Sequence, residues 1–311
     1  MEEKSGREDN MQDMEQRCGF DWGNPDYVTY LDISRRQIER HYQEFIPLFL
    51  DFIGMQRKSK ILDAGCGLGF IGRLLERYFP DGTIYGVDIE KELIVRARKL
   101  NKELGSRVKL EVQDVNHLRF PKNSFDLVIC QSLLINLPNP KDALKQMIQV
   151  TRPGGRVVVV EPFDEQIHYY PQFSKEINNL LLKHHKAVEK AIRKNSAASM
   201  SVTRELPQMF LDLGLTNVKA LGTMSTDLTC DEDDPDALRK AQLYHDRSTS
   251  MNKDFEQLAL QGGLKPHHLE KIKDAEKRWL KRITAHPEIL KTSAEIHCAM
   301  ILVLRGEKPK E

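Results

Sequence analysis

The sequence lacks the cysteine pattern of a disulfide framework or a zinc module. Its five cysteines, Cys18, Cys66, Cys130, Cys230 and Cys298, are odd in number and form no CxxC pair. Disulfide-rich secreted domains and zinc sites carry cysteines in even numbers or at short fixed spacings. We therefore predict reduced thiols, no metal site and a cytoplasmic protein.

Long apolar runs and a charge excess of either sign are also absent. No stretch reaches the about 20 apolar residues that span a bilayer, and the charged start MEEKSGREDNMQDMEQR has no apolar signal segment. Forty-seven Lys and Arg oppose 46 Asp and Glu, which leaves a formal net charge of +1. These observations predict no membrane span and disfavour a nucleic-acid partner.

Alternating strand and helix patterns fill the first half of the chain. The polar tail 1–20 is predicted to be disordered, and 21–54 to form N-terminal cap helices. Short apolar strands follow at 61–64, 83–88, 108–112, 125–130 and 156–161, with helical patterns between most of them. This order predicts an α/β fold with a doubly wound, mostly parallel sheet.

Helical patterns dominate the second half. They occur at 170–194, 203–213, 235–247, 252–261 and 266–284, with strand patterns at 215–221 and 296–304. The last apolar strand is too short to stand alone, so we expect it to return to the main sheet. The main domain is therefore predicted to comprise 55–229 and 291–306, with 230–290 as a helical insertion. The adjacent pairs His184–His185 and His267–His268 are expected at the surface, because neighbouring side chains on a helix diverge by about 100°.

A glycine-rich turn follows the first strand of the sheet. The segment Gly67 to Gly72 matches GxGxxG, and Asp88 lies 16 residues beyond it. Alone, this pattern fits NAD, FAD, another adenosyl ligand or a turn without a ligand. Asp63, two residues before Gly65, is an unfavourable neighbour for a pyrophosphate. It suits S-adenosylmethionine (SAM), which carries a sulfonium and an ammonium and no phosphate.

Five ordered motifs carry a family resemblance over about residues 55–165. They are LDAGCGLG (62–69), YGVDIEKELIVRAR (85–98), VQDVNHLRFPKNSFDLVIC (112–130), LLINLPNPKDALKQMIQVTRPGG (133–155) and VVVVEP (157–162). In their order and spacing they resemble the class I SAM-dependent methyltransferases, in particular the ubiquinone/menaquinone and small-molecule group. The resemblance implies a Rossmann-like seven-stranded sheet, SAM as methyl donor and S-adenosylhomocysteine as product.

The resemblance also implies roles for residues at the carboxyl ends of the strands. Asp63 orients the ammonium, Asp88 accepts the ribose hydroxyls, and Asp114 faces the adenine amine. The other implied cofactor contacts are Gly65, Gly67, Gly69, Ile89, Val115 and the backbone at Gln131. Two of these acids have a structural alternative, since Asp88 suits a helix N-cap and Asp114 suits a turn with Asn116. Relatives often carry two histidines where this chain has Ile135 and Asn136, so no role of theirs is assumed.

The methyl acceptor is less defined by the sequence. Candidate contacts are Glu161 at the end of the fifth strand, and Tyr27, Tyr30, His168 and Tyr169. The extra helices either enclose a small-molecule acceptor or bury their apolar stripes in a core or a homodimer contact. The alternatives to an enzyme of this kind are a non-catalytic SAM-binding protein and an NAD(P)-dependent oxidoreductase.

Overall fold

The computed structural model describes residues 21–195, 202–231 and 234–310, and for 37–44, 164–166 and 195 it describes the backbone alone. The tail 1–20, predicted to be disordered, lies outside the described residues. The chain divides into two compact units. The sheet unit comprises Ile38–Asp164, Met200–Thr223 and Met300–Glu311, and the helical unit comprises Met1–Gln37, Glu165–Ser199 and Met224–Ala299.

The described strands form a seven-stranded sheet in the order β3-β2-β1-β4-β5-β7-β6. In chain order they are β1 (Lys60–Ala64), β2 (Thr83–Asp88), β3 (Lys109–Val112), β4 (Phe125–Gln131), β5 (Thr151–Tyr169), β6 (Thr216–Leu228) and β7 (Ile296–Glu307). The pairings of β1 with β2 and β4, of β2 with β3 and of β4 with β5 are all parallel. The predicted mostly parallel α/β sheet is confirmed.

Helices cover both faces of this sheet. They are α1 (Pro25–Ile53, in the sheet unit from Ile38), α2 (Phe70–Tyr78), α3 (Lys91–Leu104), α4 (Pro140–Val150) and α6 (Val202–Asp212). Adjacent strand residues point to opposite faces. Accordingly Ile61 and Ile129 pack with α1, α2 and α3, whereas Leu62 and Val128 pack with α4 and α6. The near-continuous apolar runs of the strands reflect burial on both sides.

Strand β7 lies between β5 and β6 and runs antiparallel to β6. The hydroxyl of Thr216, at the start of β6, donates to the carbonyl of Glu307, at the end of β7. The amide of Thr229, just past β6, donates to the carbonyl of Glu295, just before β7. Lys308 continues β7 along β5 through two backbone hydrogen bonds with Gly154 and Gly155.

The side chain of Lys308 closes the carboxyl end of α4. Its Nζ donates to the carbonyls of Ile148 and Thr151, at 2.9 Å and 2.8 Å, and to Oδ1 of Asn123 at 2.8 Å. The last carbonyls of a helix have no partner within the helix, and a cation there also opposes the negative end of the helix dipole. The side chain of Lys308 therefore links the segment after β7 to the carboxyl end of α4.

Replacing Lys308 with methionine should lower the free energy of unfolding by about 1.5–3 kcal/mol, the contribution of hydrogen bonds to a charged group. Lys310→Met, two residues further along the exposed chain end, is the matched control and should change stability by less than about 0.5 kcal/mol. Urea denaturation of both variants measures the difference. Equal midpoints for the two variants would show that the Lys308 contacts contribute nothing.

The helical unit holds α5 (Lys175–Asn195), α7 (Ala237–His245), α8 (Ser250–Gln261) and α9 (Pro266–Ala285), with the start of α1. Leu180, Leu181 and Val188 of α5 form one core with residues of α8 and α9. Gly262, at the end of α8, lies so close to the Ala187 carbonyl of α5 that an added Cβ would collide with it. The apolar stripes of these helices are therefore buried in the core of their own unit.

The unit boundaries differ from the segments expected from the sequence. Residues 165–195, 224–229 and 291–299, expected in the main domain, belong to the helical unit, and so does the start of α1. Strands β5, β6 and β7 are also longer than their apolar runs, because polar residues such as His168 and Asp227 continue them. None of the helices in the described segments has the length and apolar character needed to cross a bilayer.

Candidate functional site

The glycine-rich loop lies at the carboxyl ends of the parallel strands. It joins β1 to α2, and β1 is paired with β2 on one side and β4 on the other. The connection after β1 leads to helix α2 on one face, whereas that after β4 leads to α4 on the other. Ligands of open α/β sheets bind at such a topological switch point.

Backbone geometry explains the glycines of the loop. Gly65 has φ +69°, and a Cβ there would also approach Leu133 Cδ1 to 2.6 Å. Gly67 has φ +52°, and nothing lies within 4 Å of an added Cβ, so the loop faces open space at this residue. The amide of Cys66 donates to the Val87 carbonyl at 2.9 Å, which ties the loop to β2. Gly69 precedes α2 in the left-handed conformation.

Asp63 and Arg73 support the loop from within the sheet unit. Asp63 is buried, and its Oδ2 accepts from the amide of Gly72 at 3.0 Å in the first turn of α2. Arg73 Nη1 donates to the Leu68 carbonyl at 2.6 Å. Sequence reasoning missed Arg73, because an arginine inside a helix carries no motif signal. The observed contacts of Asp63 are structural, and its predicted role toward an ammonium stays a prediction.

Asp88 joins the loop to the end of β2. Its Oδ2 accepts from the amide of Gly67 at 2.8 Å, and its Oδ1 accepts from the amide of Glu90 at 2.9 Å. The N-cap of α3 is Glu90, so Asp88 is not the cap residue itself. A carboxylate accepts about four hydrogen bonds, so these two contacts are compatible with the predicted contacts to ribose hydroxyls. Ile89, beside it, is exposed.

Asp114 follows β3 and organises a short turn. Its Oδ1 accepts from the amide of Asn116 at 2.8 Å, and its Oδ2 lies 3.3 Å from Nδ1 of His117. The turn with Asn116, considered as the structural alternative, is therefore present. Val115, in the same turn, is buried. Their predicted contacts with the adenine ring stay predictions.

Glu161 shapes the backbone after β4. It is fully buried, and its Oε1 accepts from the amides of Leu133 and Leu134 at 2.9 Å and 2.7 Å. Gln131 ends β4 opposite Val160, and Ser132 has φ +50°. Glu161 thus fixes the segment that carries Gln131 and Leu133 past the glycine loop. The structure gives Glu161 this supporting role, and an acceptor contact stays a prediction.

The other four candidate acceptor contacts belong to the helical unit. Tyr27 is buried, and its hydroxyl donates to Asp254 Oδ2 at 2.9 Å. Tyr30 packs in the same cluster, where burial raises the pKa of its hydroxyl. Tyr169 is exposed, and His168 Nδ1 lies 2.9 Å from His297 Nδ1. Tyr27 therefore has a core role, while His168 belongs to a histidine group.

The two cysteines beside the site are unreactive in character. Burial, with Asp63 and Asp88 nearby, raises the pKa of the Cys66 thiol well above its usual value. Burial, with Glu161 and Asp63 nearby, does the same to the pKa of Cys130. A protonated, buried thiol is a poor nucleophile. Both residues therefore act in packing.

The residues of this site fit an adenosyl ligand with cationic groups. Open space faces the loop at Gly67, where a side chain would intrude. The acids Asp63, Asp88 and Asp114 lie within two residues of the carboxyl ends of three successive parallel strands. Glycine allows close approach of a ligand to the backbone, and the carboxylates supply negative charge and hydroxyl acceptors. This donor set suits SAM better than a pyrophosphate-containing dinucleotide.

A methyltransferase domain model matches residues 56–218, just over half of the chain. The chain belongs to the methyltransferase domain family. The family resemblance inferred from the motifs is thereby confirmed. The match ends in β6, so it covers the glycine loop and the acids described above.

Two curated relatives show the extent of the similarity. The chain is 30% identical over 177 residues to the demethylmenaquinone methyltransferase of Geobacillus sp., covering 54% of this chain and 75% of that one. It is 29% identical over 198 residues to an uncharacterised 37.1 kDa protein in a transposon of Streptomyces fradiae, covering 63% of this chain. The chain spans about half, 54%, of the length of that transposon protein.

A solved structure supports the fold. A methyltransferase-like protein from Bacillus halodurans superimposes with a TM-score of 0.50 at 13% identity, covering 84% of this chain and 97% of that one. At this identity the comparison concerns the fold alone. It agrees with the Rossmann-like sheet that the family resemblance implies.

Proposed function

We propose that this chain is a SAM-dependent methyltransferase that acts on a small-molecule acceptor. The observation that carries the proposal is the glycine loop with open space at Gly67 and Asp88 bonded to its backbone. The family membership supports the same reaction class. When bound, SAM supplies a methyl group on a sulfonium that is already activated for displacement.

The protein's own residues then position and shield the reactants. Gly65 and Gly67 allow close approach to the methionine part, and Asp63 provides negative charge beneath the loop. Asp88 would accept from the ribose hydroxyls, and Asp114 and Val115 would contact the adenine. The carbonyl at Gln131 would accept from the ammonium. Positioning of this kind can lower the barrier of a displacement by about 7–11 kcal/mol.

The proposed acceptor is a small molecule. One relative carries the name demethylmenaquinone methyltransferase, which makes a quinone-type acceptor the first to test. The near-neutral net charge of +1 gives no electrostatic advantage for RNA or DNA. We further propose a cytoplasmic location, and leave a homodimer as a prediction for sedimentation analysis.

Calorimetry and label transfer together test this proposal. The purified chain should bind SAM and S-adenosylhomocysteine, and should bind NADH negligibly. Labelled SAM incubated with demethylmenaquinone, or with a protein-free metabolite extract, should then yield a labelled small molecule. SAM binding without any transfer would favour a non-catalytic SAM-binding protein, and tight NADH binding without SAM binding would overturn the assignment.

Gly67→Ala should weaken SAM binding by about 5- to 150-fold, which corresponds to the about 1–3 kcal/mol of an overpacked contact. The physical reason is that the new Cβ points into the open space facing the loop. Gly105→Ala is the matched control, since Gly105 also has a positive φ, +67°, and nothing within 4 Å of an added Cβ, but ends α3. Both variants should lose similar stability, whereas SAM affinity should fall in Gly67→Ala alone. Equal SAM affinities in the two variants would remove Gly67 from the site.

A further inference from the structure

Four histidines of the helical unit lie side by side. The ring centroid of His168 is 4.5 Å from that of His185 and 5.0 Å from that of His297, and His184 is 5.8 Å from His185. We call these four residues the histidine cluster. His184 is buried, so the prediction that His184 and His185 are surface histidines is wrong for His184. The reason is that His184 shares the face of α5 that carries Leu180, Leu181 and Val188, and this face packs against α8 and α9.

The hydrogen bond between His168 and His297 requires one protonated and one unprotonated Nδ1. Their Nδ1 atoms are 2.9 Å apart, so one ring must donate while the other accepts. If both rings are protonated, two N–H groups and two positive charges face each other at this distance. When both rings are neutral, one can donate to the other. When the accepting ring takes up a proton, this hydrogen bond is lost.

Groups from several packed elements face the cluster. Tyr170 contacts His168 and His297, and Tyr244 of α7 stacks on His297 at 5.5 Å. Glu295, before β7, has Oε2 at 3.8 Å from Nε2 of His297. Further charged groups near the cluster are His245 of α7, Glu276 of α9 and Arg247. Arg247 pairs with Glu276, and His245 lies between the two carboxylates. His245 and Arg247 supply positive charge beside these two carboxylates, and Glu295 also lies near His297.

The pKa values of three of these histidines, like the contact between His168 and His297, favour neutral rings. Burial, with His297 adjacent, lowers the pKa of His168 to about 4, and burial, with Arg247 nearby, lowers the pKa of His184 to about 4. Burial, with His168 and His184 adjacent, lowers the pKa of His185 well below its usual value.

In the described part of the chain, no three His, Cys, Asp or Glu side chains are arranged to hold a metal ion.

We propose that the histidine cluster is an acid-sensitive switch, in which proton uptake by its imidazoles opens α5 locally within the helical unit. At His168 and His184 the folded form favours the neutral ring, so this contribution is present above about pH 6.5 and is lost as the pH falls through about 4. This regulation goes beyond the proposed methyl transfer and does not depend on it.

The expected change in the opening constant between two pH values follows from thermodynamic linkage. For His168, the pKa is 6.5 in the open state and about 4 in the folded state. This difference makes the opening constant about 30-fold larger at about pH 5 than at about pH 7.5. His245 acts in the opposite direction, because its pKa is raised to about 9, and it lowers the opening constant about tenfold over the same interval. His184 and His185 add to the effect of His168, so the cluster outweighs His245.

Hydrogen exchange of the full chain, read by mass spectrometry at about pH 7.5 and about pH 5, tests the switch. After correction for intrinsic exchange rates, amides of 175–195 should open at least about tenfold more often at the lower pH. The double variant His168→Gln/His185→Gln should lose most of this dependence. The double variant His267→Gln/His268→Gln is the matched control, since it removes an adjacent pair on α9 of which His267 is exposed. It should behave like the wild type.

Equal protection of 175–195 at both pH values would overturn the proposal, and so would an unchanged pH dependence in the cluster variant. If the cluster variant does not fold, histidine titration of the wild type by nuclear magnetic resonance decides. Imidazoles of His168, His184 and His185 that titrate near 6.5 in the folded protein would overturn the switch, and titration below about 5 would support it. Because no measurement uses SAM, failure here is distinct from failure of the proposed methyl transfer.

Discussion

Glu295→Ala should lower the free energy of unfolding by about 3–5 kcal/mol, the typical effect of removing one partner of a buried ion pair. Glu295 is fully buried, and its Oε1 accepts from Trp279 Nε1 at 3.0 Å, from His245 Nε2 at 3.2 Å and from Gln172 Nε2 at 2.5 Å. The variant leaves these donors without their shared acceptor. Urea denaturation followed by tryptophan fluorescence measures the change.

The matched control is Glu288→Ala, which removes an exposed carboxylate that also faces a histidine, His286. Exposed ion pairs contribute little, so this variant should stay within about 1 kcal/mol of the wild type. Similar losses in the two variants would contradict the central role of Glu295 in the helical unit.

Glu295 should also control how stability depends on alkaline pH. Burial disfavours the charged form of His245, but hydrogen bonds with Glu276 and Glu295 raise its pKa to about 9. A folded pKa above the usual 6.5 means that the contribution is complete below about pH 6.5 and is lost as the pH rises through about 9. The wild type should therefore lose stability over this window, and Glu295→Ala should lose much less.

Asp88→Ala should weaken SAM binding by about 10- to 150-fold. A hydrogen bond to a charged group contributes about 1.5–3 kcal/mol, which corresponds to this change in affinity. The substitution also removes the acceptor of the Gly67 amide, so part of the loss comes from a less ordered loop. Calorimetry with SAM and S-adenosylhomocysteine measures the dissociation constants.

Asp114→Ala and Asp88→Asn separate the contributions at this site. Asp88→Asn keeps an oxygen that can accept from Gly67 while it removes the charge, so it should bind SAM more tightly than Asp88→Ala. Asp114→Ala removes the acid of the neighbouring strand end, whose carboxylate contacts Asn116 and His117. An unchanged dissociation constant in a folded Asp88→Ala protein would show that this carboxylate serves the loop alone.

Much of the sheet unit could be predicted from the sequence because its signals are local. Buried parallel strands such as β4 and β5 contain continuous apolar runs, and the glycines at 65, 67 and 69 mark a turn that needs positive φ. The acids Asp63 and Asp88 could be placed because they stand at fixed distances from these glycines. Helices α2 and α3 follow from their amphipathic spacing.

The supporting contacts could not be predicted, because they join residues far apart in the chain. Glu161 reaches the amides of Leu133 and Leu134, and Arg73 reaches the Leu68 carbonyl, without any motif. The sequence contains still fewer motifs that could predict contacts within the helical unit. His168, His185 and His297 come from three separate segments, so their proximity depends on tertiary packing. An adjacent histidine pair on a helix reads as a surface feature until the neighbouring elements are known.

The position of β7 in the sheet has a consequence for the order in which the chain can fold. This strand lies between β5 and β6, yet it follows both of them in the sequence. During synthesis, β5 and β6 are complete well before residues 296–307 leave the ribosome, and until then each presents an unpaired edge. Strands β1 to β4 can associate meanwhile with α2, α3 and α4. The nascent protein therefore passes through a period in which β6 has no neighbouring strand and one edge of β5 is open to pairing with other chains.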